Sequence, residues 1–133
     1  MKEENEICTR LLSEAEVLAV VAGLPAFIRE LAGDCIVTIE YGWACNIHVN
    51  LQYQGMDVGI SSLDRFLSDS IDQRIFRPAE SDLTVATPND DFKLLFCHES
   101  DIHLSGRDES LVRRACEHEL LRNLMKPEVR TSR

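Results

Sequence analysis

Strict alternation of apolar and polar residues between Cys35 and Ile60 is the feature that most constrains the fold of this chain. Its clearest stretch alternates apolar Cys45, Ile47, Val49, Leu51 and Tyr53 with polar Asn46, His48, Asn50, Gln52 and Gln54. Successive side chains of a β-strand point to opposite faces of the sheet. The pattern therefore predicts a sheet with one face in a core and the other in water.

Glycine turns within this region predict how its strands pair. A loop at 42–44 joins a strand over 37–41 to the strand over 45–54, and the Gln54-Gly55 turn joins the latter to a strand over 56–60. Each turn keeps apolar side chains opposite apolar side chains. We therefore expect 45–54 to be the central strand of a three-stranded unit, with Asp57 opposite Gln52.

Helix signals precede this unit. Ser13 and Glu16 have the spacing of a capping box, which marks a helix N-terminus. The Gly23-Leu24-Pro25 sequence predicts an interruption, because glycine favours a helix end and proline a new first turn. A second short helix over 25–32 would then end at Gly33.

The second half of the chain again predicts a helix followed by three strands and a closing helix. Ser61 and Ser62 are predicted to cap a helix that ends by Arg77, before Pro78. A strand is predicted at 83–85, followed by a hairpin in which Phe96 pairs with Ile102 and Leu94 with Leu104. Asp108 is predicted to cap the last helix, which Pro127 stops.

Together these elements predict an α+β fold in the order α(α)-βββ-α-βββ-α. Short hairpins require antiparallel pairing, so we expect one antiparallel sheet of about six strands with the helices packed on one face. We expect a single domain over 13–126, with a frayed acidic N-terminus over 1–12 and a flexible tail over 127–133.

The net charge of the chain indicates which classes of partner it can bind. The 133 residues include 23 Asp and Glu against 14 Lys and Arg, a formal net charge of −9. Phosphate backbones and anionic lipids bind basic surfaces, so this balance disfavours nucleic acid and membranes and favours a basic protein partner. No apolar run approaches the ~18 residues of a membrane span, and the acidic start does not fit a signal peptide.

The cysteines indicate the compartment. There are five, an odd number, and none forms a Cys-x-x-Cys pair: Cys8, Cys35, Cys45, Cys97 and Cys116. Thiols used as small apolar side chains are typical of a reducing environment, so we expect a cytoplasmic protein.

Titratable side chains concentrate in the segment 97–103, which contains a cysteine, two histidines and two carboxylates. The residue four positions after His98 is Ile102, so the His-Glu-x-x-His zinc motif is absent. His103 is expected on the solvent face of a strand, opposite Leu95. We predict a polar hairpin tip with no metal, no cofactor and no catalysis; an enzyme or metal protein built on Cys97, His98, Asp101 and His103 is the alternative from a different class.

A partner-binding surface is predicted on the polar sheet face and the hairpin tip. Short amides adapt their hydrogen bonds to a partner, and a single tryptophan in a loop is a common interface anchor. The candidate residues are Trp43, Asn46, His48, Asn50, Gln52, Asp57, Glu99, Asp101 and His103.

The order of elements between Val49 and about Leu121 resembles that of immunity proteins from bacterial polymorphic and contact-dependent toxin systems. The residues concerned are the helix entry at 61–67, the strands at 92–96 and 101–104, and the helix entry at 108–112. The resemblance implies a protein that neutralises a toxin domain by covering it. A dimeric chaperone similar to those of type III secretion has a related order of elements, so the choice between monomer and homodimer stays open.

Overall fold

The structure is a computed structural model, and it describes residues 6–42, 56–77 and 80–126. The helices in these ranges are α1 (Glu14–Ala32), α2 (Ile60–Asp72) and α3 (Glu109–Glu117). The strands are β1 (Ile7–Cys8), β2 (Ile36–Gly42), β3 (Met56–Gly59), β4 (Asp82–Ala86), β5 (Lys93–Phe96) and β6 (Ile102–Ser105). All pairings are antiparallel in the order β1-β6-β5-β4-β2-β3, which confirms the predicted α+β class.

One face of this sheet lies in the core. Ile39, Val85, Leu94 and Leu104 stand in register across β2, β4, β5 and β6, and each is at most 2% exposed. The three helices contribute side chains to the same apolar cluster, Phe27 of α1 among them. Burying a side chain of this size stabilises the fold by about 1.5–3 kcal/mol. The helices therefore pack on one face of the sheet, as the alternation predicts.

The strand order differs from the prediction in one respect. β2 pairs directly with β3, with Val37 opposite Val58 and Thr38 opposite Asp57, and its other edge pairs with β4. The expected place of residues 45–54 between these strands, and of Asp57 opposite Gln52, is therefore wrong. Alternation fixes the face that each side chain occupies, but it does not fix the neighbouring strand. Residues 43–55 themselves lie outside the described residues.

Helix α1 is continuous, so the predicted break at 23–25 is wrong. Pro25 lies inside the helix, although a proline there costs about 3 kcal/mol. Leu24 and Phe27, on either side of it, are at most 1% exposed, and their burial outweighs that cost. Gly23 permits close packing, because a Cβ there would lie 2.9 Å from Leu120 Cδ1. The capping box at Ser13 and the end at Gly33 are confirmed.

Helix α2 begins at Ile60, at least two residues earlier than predicted, and ends at Asp72, before the predicted limit at Arg77. Its N-cap is Gly59, with no side-chain cap, so the predicted caps at Ser61 and Ser62 are wrong. The backbone N–H of Ile60 donates to the carbonyl of Cys35 instead, at 3.1 Å. Ile60 is 3% exposed, so the first residue of α2 is already part of the core.

The C-terminal hairpin and the start of α3 agree with the prediction, whereas the end of α3 does not. The predicted pairs Phe96–Ile102 and Leu94–Leu104 are confirmed, and Asp108 caps α3 by accepting from the Leu111 N–H at 3.1 Å. The helix ends at Glu117 rather than near Pro127, and a short 3-10 turn follows at Arg122–Leu124.

Residues that the sequence predicts to be frayed take part in the sheet. Ile7 and Cys8 form the edge strand β1 against β6, and the Leu12 N–H donates to the Ser100 carbonyl at 2.7 Å. Leu12 is itself buried. The folded body thus extends N-terminal to residue 13, whereas the expected tail over 127–133 lies outside the described residues. Within the described ranges, no helix is long and apolar enough to cross a bilayer.

Gly106, between β6 and α3, tests how closely this segment packs against the backbone of Asp91 and Phe92. A Cβ at this position would lie 2.2 Å from the Asp91 carbonyl oxygen and 2.8 Å from Phe92 Cα. Because backbone cannot yield as a flexible side chain does, we expect Gly106→Ala to lower the free energy of unfolding by at least about 2 kcal/mol. Gly59→Ala, where a Cβ meets nothing within 4 Å, is the control and should change it by less than about 1 kcal/mol. Urea unfolding measures both, and equal losses would contradict the steric explanation.

Glu16 should make the stability of α1 depend on pH. Arg10 and the Ser13 backbone hydrogen-bond its carboxylate and lower its pKa from 4.5 to about 2. A lowered pKa in the folded state means that the stabilisation is complete above pH 4.5 and disappears as the pH falls towards 2. Glu16→Gln keeps a side-chain acceptor for the capping box, so it isolates the contribution of the charge. We expect the difference in melting temperature between wild type and Glu16→Gln to shrink over that pH interval; a constant difference would contradict this.

Candidate functional site

The outer face of the sheet, opposite the helices, holds the candidate site. One row of this face consists of Cys8, His103, Leu95, Thr84 and Glu40, in that order across β1, β6, β5, β4 and β2. The next row, at the end where β5 turns into β6, includes Asp82, Cys97 and Asp101. Two groups of potential metal ligands therefore lie side by side on one surface.

The first group is formed by Cys8, Asp101 and His103, and Glu6 contacts the histidine; we call these four residues the β1–β6 cluster. Cys8 Sγ lies 3.4 Å from His103 Nδ1, and a Glu6 carboxylate oxygen lies 3.1 Å from the same nitrogen. Asp101 Oδ1 lies 3.2 Å from Nε2 on the other side of the ring. The histidine and aspartate side chains are 23% and 16% exposed, so the cluster is half-buried yet reachable from solvent.

The second group, the β4–β5 cluster, is formed by Asp82, Cys97 and His98. Asp82 Oδ1 accepts from the His98 backbone N–H at 2.8 Å and lies 3.1 Å from its Nδ1. Cys97 Sγ lies 3.6 Å from that ring nitrogen, so the turn brings together two neighbours that an extended strand would separate. The carboxylate thereby holds the first residue of the hairpin turn against β4.

Cys8, His103 and Asp101 have the connectivity of a nucleophile, a base and an orienting acid. The surroundings of the thiol oppose that role. Burial raises the pKa of Cys8 above 9.0, and the charges of Glu6 and Asp101 raise it further, while Lys126 acts in the opposite direction. A reactive cysteine needs a lowered pKa in an electropositive environment. These surroundings therefore disfavour the free thiolate that a nucleophile requires.

The predicted site residues fall into three groups. Asp101 and His103 are brought together, and His103 lies opposite Leu95 as predicted. Glu99, with a side chain 72% exposed, and the exposed Asp57, which accepts from the Thr38 hydroxyl at 3.0 Å, lie apart from them. The remaining candidates are outside the described residues: Trp43, Asn46, His48, Asn50 and Gln52.

Sequence reasoning missed Cys8, Asp82 and Glu6. Cys8 and His103 are 95 positions apart, and Asp82 and His98 are 16 apart, so no local spacing connects them. The alternative site built on the segment 97–103 is accordingly divided, with His98 in one cluster and His103 in the other. The only usable signal was the apolar Ile7 beside Cys8, which is too short to mark a strand on its own.

Asp82 gives a direct test of how the β4–β5 cluster holds the hairpin. Asp82→Ala removes the acceptor of the half-buried His98 N–H and should lower the free energy of unfolding by about 1–3 kcal/mol. Asp82→Asn keeps a carbonyl acceptor at the same place and should cost less. Urea unfolding of both variants gives the comparison, and equal losses would show that the charge, not the backbone hydrogen bond, is what matters.

Comparisons with known proteins give no relative of this chain: neither a family model, nor a curated protein, nor a solved structure matches it.

Proposed function

We propose that this chain is a small acidic binding protein of the immunity type, which neutralises a basic toxin domain by covering it and performs no catalysis itself. The observation that carries the proposal is the outer face of the sheet. All three described helices pack on the opposite face, so the described strands present this one outward.

Charge on the outer face supports a basic partner. Among the described strands, the exposed acidic Glu40 and Asp57 outnumber the basic Lys93, and Glu99 and Asp101 add two carboxylates at the hairpin end. The whole chain carries −9. A surface of one sign attracts a partner of the opposite sign during diffusion and raises the association rate, most strongly at low salt. A basic nuclease-like domain is the partner chemistry that this surface suits.

A cytoplasmic location belongs to the same proposal. The four cysteines in the described ranges are free thiols. Structural disulfides are typical of oxidising compartments, so free thiols fit a reducing one. An immunity protein acts in that compartment if it meets its toxin inside the cell that makes both.

Capture of a partner tests the proposal directly. Tagged protein is used to recover binding partners from the native host, and the mass of the purified chain is determined in solution. The proposal expects one basic domain in equimolar amount, whose toxicity the chain abolishes. A homodimer that carries an extended effector segment would instead support the dimeric chaperone, and recovery of no basic domain would contradict immunity function.

Charge reversal locates the interface once the partner is in hand. Glu40→Lys combined with Glu99→Lys changes two exposed groups of the outer face, and we expect the Kd to rise at least about tenfold. Asp101 is left unchanged because it contacts His103. The control is Asp64→Lys combined with Asp69→Lys on α2, which alters the net charge equally on the helix side.

The control should change the Kd less than about threefold, and both double variants should keep the wild-type melting temperature within a few degrees. Calorimetric titration and thermal unfolding provide the two readouts. If both pairs weaken binding equally, the effect comes from net charge alone and the outer face is not the contact surface.

A further inference from the structure

We propose that the β1–β6 cluster is a binding site for a divalent transition-metal ion, best suited to Zn²⁺. Cys8 Sγ, His103 Nδ1 and the Glu6 carboxylate are its ligands, and Asp101 orients the imidazole. This proposal is independent of the proposed function.

The kinds of donor atom select the metal. A thiolate, an imidazole and a carboxylate are the ligands that zinc takes in proteins, whereas magnesium and calcium take oxygen ligands alone. Three protein ligands leave a fourth position of a tetrahedral ion for water or for a group from a partner. The cluster is therefore suited to an open zinc site.

The two distances that end at His103 Nδ1 fit this assignment. Metal–ligand bonds of about 2.3 Å to sulfur and 2.0–2.2 Å to nitrogen and oxygen place tetrahedral ligand atoms roughly 3.3–3.6 Å apart. The Cys8 Sγ–His103 Nδ1 separation is 3.4 Å, and the Glu6 oxygen lies 3.1 Å from the same nitrogen. The pairs on Nδ1 are thus within a few tenths of an ångström of ligand spacing.

Asp101 contributes the supporting contact that metal-binding histidines usually have. Its Oδ1 lies 3.2 Å from His103 Nε2, where it accepts from the Nε2–H of the tautomer whose Nδ1 is free to bind a metal. Such a carboxylate fixes the orientation of the ring and increases its basicity. The two nitrogens of His103 therefore have separate roles, one towards the ion and one towards Asp101.

The neighbouring β4–β5 cluster is less suited to an ion. Asp82 Oδ1 already accepts the His98 backbone N–H, and the same oxygen lies beside His98 Nδ1. Cys97 is 6% exposed, whereas Cys8 is half-buried. The first cluster combines a reachable thiol with two carboxylates, Glu6 and Asp101, whose negative charge favours a cation.

A bound ion would fasten the N-terminal strand to the sheet. Two of the residues, Glu6 and Cys8, belong to the N-terminal edge, and the other two, Asp101 and His103, belong to β6 and its turn. β1 pairs with β6 at Ile7–Leu104 and Cys8–His103, and the Thr9 N–H donates to the Ile102 carbonyl just beyond it. Metal binding would therefore couple to ordering of this edge, because the ligands come together only when it is docked.

Titration of the full metal-free chain with Co²⁺, a spectroscopic substitute for Zn²⁺, tests the site. We expect one equivalent of Co²⁺ to bind, with a thiolate-to-cobalt charge-transfer band and the intense visible bands of tetrahedral cobalt. Zn²⁺ should displace the cobalt and erase these bands, and it should raise the melting temperature of the chain. A wild-type protein that shows no such bands and no stabilisation by Zn²⁺ would overturn the proposal.

Variants identify the ligands. Cys8→Ser should remove the charge-transfer band, and His103→Gln should weaken Co²⁺ binding by at least about a hundredfold. Asp101→Asn should keep the stoichiometry and the band but weaken binding by about 10–100-fold, as expected of a positioning residue.

Two further cysteine variants serve as controls. Cys35→Ser alters another half-buried thiol outside both clusters and should leave the titration unchanged. Cys97→Ser addresses the β4–β5 cluster and should leave the band in place. A band that survives Cys8→Ser and disappears in Cys97→Ser would assign the ion to the other cluster and overturn the proposal. Circular dichroism of each apo variant establishes that it is folded before titration.

Discussion

The position of β4 in the middle of the sheet is the constraint on which the rest of the structure depends. β4 pairs over five residues with β2 and over four with β5, and so joins the N-terminal half of the chain to the C-terminal hairpin. Leu83 and Val85 point into the core, with 0% and 2% exposure. A shift of one residue in either pairing would turn them outward and expose the apolar face. The same register sets Asp82 beside His98, so core packing and the arrangement of the outer face have one origin.

Features encoded by neighbouring residues were predictable from the sequence. The capping box at Ser13, the cap at Asp108 and the register of Phe96 with Ile102 each depend on residues a few positions apart, and all three are confirmed. Alternation likewise gave the correct face for His103, opposite Leu95. Local chemistry leaves few options at these positions, because a cap or a tight hairpin is completed within one turn of the chain.

Features that depend on distant residues were not predictable. Alternation could not reveal that β2 lies between β3 and β4, because several strand orders keep the same side chains in the core. Burial also overrode local signals: α1 continues through Pro25, and α2 begins at Ile60 without a side-chain cap. The candidate site was the least predictable feature, because Cys8 contacts His103 only through the pairing of β1 with β6.

The two proposals concern the same face of the sheet but depend on different residues. Partner binding rests on the acidic groups that β2, β3 and the hairpin present, whereas metal binding rests on four side chains at the β1 edge. Two anionic ligands, the Cys8 thiolate and the Glu6 carboxylate, would balance the charge of a bound Zn²⁺, so an occupied site would be less negative than an empty one on this acidic surface. Occupancy of the site would thus change the potential that an approaching basic partner meets.

The docking of β1 onto β6 also has a consequence for the order in which the chain folds. Glu6 and His103 are 97 positions apart, so β1 is synthesised well before β6, the strand with which it pairs. Contacts between such distant segments form slowly, because the intervening chain must first lose its freedom. β1 therefore cannot pair with β6 until residues 102–105 have been synthesised, and this edge of the sheet forms after the other strands are available.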